Sequence, residues 1–490
     1  MRADLAPFGV DAVLAIAGLG ILVGIGLVPW RLRSVIAALG LAYLTGVAVV
    51  PLALTLMLVV GIPLTLASFL VAALACVGIG ALLIRRRGRT VSFRPTHWRW
   101  RAWRTWTAET WVAVTFAALF AAYWLVGLVS AFEMPLTAWD AWSIWARKAE
   151  MLTVHDSLIS GFFTNQSYAF AHLDYPLQYP IWEALHFRAG AVFDTQTLLR
   201  HVWLLLGAFA WAMAYLLRER VRPVVWAPLL LLTAVAPGVW EQLLSGYADV
   251  PMAMFVCLGV ISLGMWLHAQ DTRLLVLAAL MLAAAANTKN EGAVAALAIL
   301  AVGGAIALSR RLAVRTYLLS SFAVILTVLP WRMWLIAHGI EGDMPVAKGL
   351  DPGYLAGRID RVGPAISAIN GQLAEQGRWL ELLPLAALVV AVSLISGVGR
   401  RTAAFYLGSF VVVWMAFVWS YWISPHNLAW HLATSVDRVV SIPMFICIAA
   451  LLHLSGMLVG SLASGPRDER ERPAESADED LASSTLSPAR

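Results

Sequence analysis

The stretch Val250–Ala269, VPMAMFVCLGVISLGMWLHA, decides the fold. It runs without a single Asp, Glu, Lys or Arg, and about 20 apolar residues at about 1.5 Å each make a helix that crosses a bilayer core of about 30 Å. The same ruler, moved outward along the 490 residues, finds comparable runs near 9–30, 35–60, 62–84, 110–131, 199–217, 224–240, 273–288, 292–309, 316–336, 380–398, 402–422 and 438–459. With 250–269 these give about thirteen expected spans, an all-α polytopic membrane protein. Composition agrees: 60% of residues are hydrophobic and 13% charged, about half the charge that a water-soluble domain carries.

Arginine placement sets the expected orientation, because cytoplasmic loops retain basic residues. Arg31 and Arg33 follow the first run, Arg85 to Arg104 the third, Arg218 to Arg222 the fifth, Arg310 to Arg315 the ninth, and Arg400 and Arg401 the eleventh. Each cluster follows an odd-numbered run, so the N-terminus is expected outside and the C-terminus in the cytoplasm of an inner (plasma) membrane. Four segments result: a three-helix piece over 1–84, a basic, Trp-rich interfacial segment over 85–109, a main membrane module over 110–459, and a disordered cytoplasmic tail over 460–490. Trp98, Trp100, Trp103 and Trp106 among arginines read as residues lying on an anionic leaflet rather than as a nucleic-acid surface. Arg2 and Asp4 do not make the basic start of a cleavable signal, so the first run is expected to stay in the mature protein.

Several familiar signals carry no chemistry. Cys76, Cys257 and Cys447 sit in apolar runs without disulfide or zinc spacing. Gly18, Gly20 and Gly24 lie inside a span rather than after a strand, and read as small residues that let helices approach. No segment reads as a nucleotide-binding unit.

Two non-cytoplasmic loops are long, 132–198 and 337–379, and loops of that length usually have a task or helices of their own. In the first, Trp142, Trp145, Ala149 and Leu152 recur at helical spacing with Arg147, Lys148 and Glu150 assigned to other faces, as in a helix lying along the interface. A second short helix is expected from Pro180, with Trp182 and Leu185 facing lipid. Asp140 heads the first helix, where an aspartate is often only a cap. Other ionisable residues gather at the same face, however: Asp174 in His172-Leu-Asp-Tyr-Pro176, Asp249 in Gly246-Tyr-Ala-Asp-Val-Pro251, Lys289 and Glu291 in Thr288-Lys-Asn-Glu-Gly292, Arg332, and the stretch from His426 through His431 to Asp437 and Arg438. Asp249 and Glu291 also suit the first turn of a helix, and Lys289 the end of one. Arg438 stands at the N-terminal end of its run, where the helix dipole disfavours a cation, and so asks for an anionic partner. His172, His426 and His431 lack zinc-motif spacing and read first as structural or substrate contacts.

At these residues the chain resembles the C-type (GT-C) membrane glycosyltransferases, which include protein O-mannosyltransferases, aminoarabinose transferases and arabinosyltransferases. Trp139-Asp140-Ala-Trp, Asp-Tyr-Pro at 174–176, Tyr-Ala-Asp at 247–249 and Thr-Lys-Asn-Glu-Gly at 288–292 carry the resemblance over about 110–459. It implies a GT-C-like fold and transfer of a sugar from a polyprenyl-phosphate donor to an extracytoplasmic acceptor, with inversion. It also implies Asp140 as general base, Lys148, Lys289 and Arg438 as donor-phosphate ligands, and Asp174, Tyr175, Tyr247, Asp249, Glu291, Arg332 and His431 as substrate contacts. Many relatives have two adjacent acidic residues or a metal at the loop motif. Asp140 stands between Trp139 and Ala141, so no metal ligand is assigned and a divalent cation stays an open question. The reading from a different class is a transporter or flippase for a lipid-linked or anionic solute. That would place its ionisable residues near mid-membrane on broken helices, whereas these gather at one face.

Overall fold

A computed structural model of the protein describes residues 5–88, 106–191, 193 and 195–463. Among them, ten helices are long and apolar enough to cross a membrane: Ala6–Gly24, Leu39–Val59, Leu66–Arg86, Ala108–Ala131, Leu198–Leu217, Asp249–Ala269, Asn290–Ser309, Val314–Ala337, Arg400–Ile423 and Leu428–Leu462. Pro223–Val235 and Pro237–Leu244 form a pair bent by 52°, which makes eleven if counted as one crossing. The bend follows from Pro237, which has no N–H to give and drives Ala236 to extended backbone (φ −63°, ψ 123°). Two apolar helices are shorter, Thr272–Thr288 and Leu382–Ser396. The protein is thus an all-α, multi-pass membrane protein. The arginines and tryptophans of 89–105 and the tail from 464 lie outside the described residues.

Helix Asp249–Ala269 is the axis of the bundle. It is buried along its length, packed by Thr272–Thr288, Asn290–Ser309 and Ser441–Ala463. Ala108–Ala131, by contrast, turns Trp111, Leu119, Leu125, Val126 and Val129 outward, as a helix at the lipid-facing rim must. The first three long helices meet backbone to backbone through glycine. A Cβ on Gly46 would sit 1.9 Å from Leu14 O, and one on Gly80 2.1 Å from Gly20 O, so Gly18, Gly20 and Gly24 do serve close packing.

The ends of the bundle differ. At one, Arg222 grips Glu109 through two bonds of 2.5 and 3.0 Å, Tyr215 Oη donates to Leu27 O at 3.1 Å, and Arg273 reaches Gly26 O at 3.0 Å. At the other lie the N-terminus of the axial helix and the loop helices.

Those loop helices depart from expectation. The first begins with a π-turn, Ala141–Trp145, and continues as Ala146–His155. Trp145, Lys148, Ala149 and Leu152 are all fully buried. They stand at i, i+3, i+4 and i+7, one face of a helix, so Lys148 belongs to the apolar stripe and not to another face. The second helix is Gln178–Gly190, with Trp182 and Leu185 buried. It packs on the first loop helix and on Ala6–Gly24 and Leu39–Val59, so protein rather than lipid covers both residues.

Candidate functional site

Asp140 opens the loop helix without capping it: its backbone is already helical (φ −63°) and its side chain makes no cap bond. The carboxylate instead accepts a hydrogen bond from Arg438. Arg438 lies in the last turn of Leu428–Val439, just before Ser441–Ala463 begins. That corrects the expected position at a helix N-terminus: a turn at Val440 joins Leu428–Val439 to Ser441–Ala463, and Arg438 stands inside the combined helix Leu428–Leu462. A second guanidinium nitrogen donates to Thr434 O at 2.6 Å, and the group lies over the Tyr247 ring, 4.7 Å from its centroid. Tyr247 is presented by Gly246, whose φ of +75° suits glycine and where a Cβ would lie 2.6 Å from Leu136.

Beside this pair stands a triad centred on the buried Lys289. Lys289 is a single extended residue (φ −154°, ψ 157°) between two helices, which swings its side chain back across the bundle. Its ammonium lies 2.8 Å from Asp249 Oδ1 and 3.1 Å from Glu291 Oε1. Asp249 is the first residue of the axial helix and Glu291 lies in the first turn of Asn290–Ser309, so neither reading as a helix-end residue excludes the pairing. Asp249 Oδ2 and Glu291 Oε2 are buried with no hydrogen-bond partner, as is Nδ1 of His431, whose ring lies 4.8 Å from that of Tyr421.

Tyr175 links the triad to a second cluster. Lys289 Nζ lies 5.8 Å from its ring centroid and Lys148 Nζ 5.6 Å, and Trp145 stacks on it at 5.6 Å. Lys148 donates to the carbonyls of His172 and Tyr175, and Trp331 Nε1 to that of Asp174 at 3.1 Å. The turn His172–Tyr175 is therefore fixed by its own backbone acceptors, with His172 held in the left-handed region at φ 49°. Asp174 Oδ2 accepts from Asn290 at 2.7 Å, and Asn290 Oδ1 accepts from Arg332. Burial, then Asp343, push the Asp174 carboxyl above the usual range, while Lys148 pulls it back. Burial brings Lys148 down to about 7, against the pull of Asp174 and Asp343.

Lys148 is thus enclosed and already bonded, a strut for the Asp-Tyr-Pro turn rather than a ligand open to a donor phosphate. Asp140, Arg438, Tyr247, Asp249, Lys289, Glu291 and Tyr175 do come together; Asp174 and Arg332 face them across Asn290. Sequence reasoning passed over Asn290, although it lies inside the Thr-Lys-Asn-Glu-Gly motif, and Asp343, whose loop carries no motif. It also passed over Arg378, which donates to Asp437 O at 3.0 Å.

His172 Nδ1, Asp174 and Asp343 offer ligand atoms within 4.8 Å of one another. They do not fit a cation well, because the charges of Lys148 and Arg332 already bear on Asp174. Comparison with protein-family models, curated proteins and solved structures finds no match for this chain.

Proposed function

We propose that the protein is an inner-membrane glycosyltransferase of GT-C-like fold that moves a sugar from a polyprenyl-phosphate donor to an extracytoplasmic acceptor, with Asp140 as general base. One observation carries the reading: a carboxylate at the head of a loop helix is paired to an arginine, and that arginine's charge bears on a buried Lys289 flanked by two acids. Such a place provides a base and two cations within one end of the bundle. The bent pair and the two short helices complete thirteen crossings, with the N-terminus outside and the C-terminus in the cytoplasm.

In the transfer, Asp140 draws the proton from an acceptor hydroxyl as its oxygen attacks the anomeric carbon. The bond from that carbon to the phosphate oxygen breaks with inversion, and the lipid phosphate leaves as an anion that needs no general acid. Arg438 and Lys289 stabilise it. A guanidinium has five donors in a fixed fork, so Arg438 can pass from Asp140 to the phosphate and free the carboxylate oxygen for the acceptor. Arrival of the donor then arms the base. Tyr175, Tyr247 and His431 are the substrate contacts on this side, and Asp174, Asn290 and Arg332, bonded in a row, meet the sugar only by exchanging those bonds for its hydroxyls.

The test is transfer from a synthetic polyprenyl-phosphate sugar by purified Asp140→Asn protein. Loss of a positioned base lowers turnover by about 10²–10⁴-fold, with donor binding and folding retained. Turnover equal to the wild type would sink the assignment.

A further inference from the structure

We propose that Asp11, His186 and His201 bind one divalent transition-metal ion of the zinc type, which staples the N-terminal helix to the external loop. The three come from separate elements: Asp11 from Ala6–Gly24, His186 from the loop helix Gln178–Gly190, and His201 from Thr195–Leu217. Their ligand atoms lie within 4.8 Å of one another. His186 and His201 are 0% and 1% exposed. The cluster stands apart from the residues assigned to sugar transfer and does not depend on that assignment.

Proton arithmetic points to a cation. His186 Nδ1 lies 2.7 Å from Trp182 O. A carbonyl only accepts, so this nitrogen carries the hydrogen, and Nε2 of the neutral ring presents a lone pair. That lone pair faces Asp11 Oδ1 at 3.0 Å. The same oxygen already accepts from Tyr43 Oη at 2.7 Å. On the other side His201 Nδ1 lies 2.7 Å from Asp11 Oδ2, and both atoms are buried with no other hydrogen-bond partner. An imidazolium at His186 would satisfy the first contact without an ion, and that is the outcome in which no Co²⁺ is taken up. A single metal ion satisfies both imidazoles and the carboxylate together.

Dimensions and chemistry agree. Bonds of about 2.0–2.1 Å at tetrahedral angles place two ligand atoms about 3.3 Å apart, so contacts of 3.0 and 2.7 Å need to open by about 0.3 and about 0.6 Å. Two imidazoles with one carboxylate suit zinc and its neighbours rather than magnesium or calcium. The Nδ1 bond to Trp182 and the Tyr43 bond to Asp11 are the outer contacts that fix ligand tautomer and orientation in such sites. An aspartate within a spanning helix is costly without a partner of this kind.

Full-length protein purified in detergent, stripped with chelator and titrated with Co²⁺, tests the proposal through metal content after desalting and the visible spectrum. One ion per chain is expected. It is retained in Asp174→Asn and weakened at least tenfold in His186→Gln and His201→Gln. No uptake by the wild type at saturating Co²⁺, or undiminished uptake in the His186→Gln/His201→Gln double variant, overturns the site. If the double variant does not fold, X-ray absorption of the wild-type Co²⁺ protein decides: two imidazole nitrogens support the site, and an oxygen-only shell rejects it.

Discussion

Lys148 is a strut of the candidate site whose charge state falls near working pH. Burial draws its pKa to about 7, with Asp174 and Asp343 opposing, whereas an unfolded chain holds a lysine proton to about 10.4. Between those values the unfolded state binds a proton that the folded state has released, so folding stability rises with pH across the window. Below about 7 both states are protonated and the burial of charge counts in full. In Lys148→Met the carbonyl of Tyr175 loses its lysine donor and that of His172 keeps only the Tyr175 N–H; a buried carbonyl left unpaired costs about 1–3 kcal/mol. The variant is therefore expected to melt below the wild type, by a gap that widens from pH 7 to pH 9. A gap constant with pH would show that Lys148 keeps its proton throughout. The sequence contained this residue's position but not its meaning. The spacing 145, 148, 149, 152 marks one helix face, but the charge on Lys148 points off that face, because its two carbonyl acceptors come from a turn more than 20 residues away in the chain. Asp140 and Lys289 were legible because carboxylates and ammonium groups at membrane faces are few. Asn290 was not, because an amide gains its role only from what stands on either side of it.

At the scale of elements, the first three long helices show what small residues accomplish in a bundle where burial alone gives no preference between protein and lipid. A Cβ on Gly80 would strike Gly20 O at 2.1 Å and Gly20 C at 2.6 Å, both backbone atoms that cannot step aside, whereas one on Gly78 would meet nothing within 4 Å. Gly80→Ala should therefore force Ala6–Gly24 and Leu66–Arg86 apart and destabilise the protein by about 1–3 kcal/mol, the usual range for overpacking. Gly78→Ala, on the same helix, should lose nothing and gain a little helix propensity. Melting of the two variants in detergent compares them directly, and equal melting points would remove the close approach. The packing role of Gly18, Gly20 and Gly24 could be read from glycines inside an apolar run. Their partners Gly46 and Gly80 could not, because which helices meet is a property of the whole bundle. Similarly, the turn at Val440, which leaves Arg438 inside a combined helix rather than at a helix N-terminus, is hidden inside an apolar run that reads as continuous.

For the molecule as a whole, the count of crossings turns on its shortest helices. Thr272–Thr288 has 17 residues, about 25 Å at about 1.5 Å each, against a core of about 30 Å. Its ends nonetheless lie at opposite ends of the bundle. Arg273, at its start, reaches Gly26 O, and Lys289, just past its finish, pairs with Asp249 at the head of the axial helix. The helix thus retraces the length of Asp249–Ala269, and a bilayer that accommodates one must thin slightly for the other. Leu382–Ser396, with 15 residues, packs along Arg400–Ile423 and Ser441–Ala463 in the same way. If both cross, residues 269, 309 and 396 share the cytoplasmic face with the arginine clusters, and residue 350 lies outside. Cys76, Cys257 and Cys447 are buried, so a cysteine introduced at an exposed position reports alone. A membrane-impermeant maleimide should label Leu350→Cys in intact cells, and Ala269→Cys, Ser309→Cys and Ser396→Cys only after the membrane is opened. Labelling of only one of Ala269→Cys and Ser309→Cys in intact cells would mean that Thr272–Thr288 does not cross. Labelling of Ser396→Cys together with Leu350→Cys would say the same of Leu382–Ser396. With either result the odd count fails, and with it the separation of the arginine face from the face that carries Asp140.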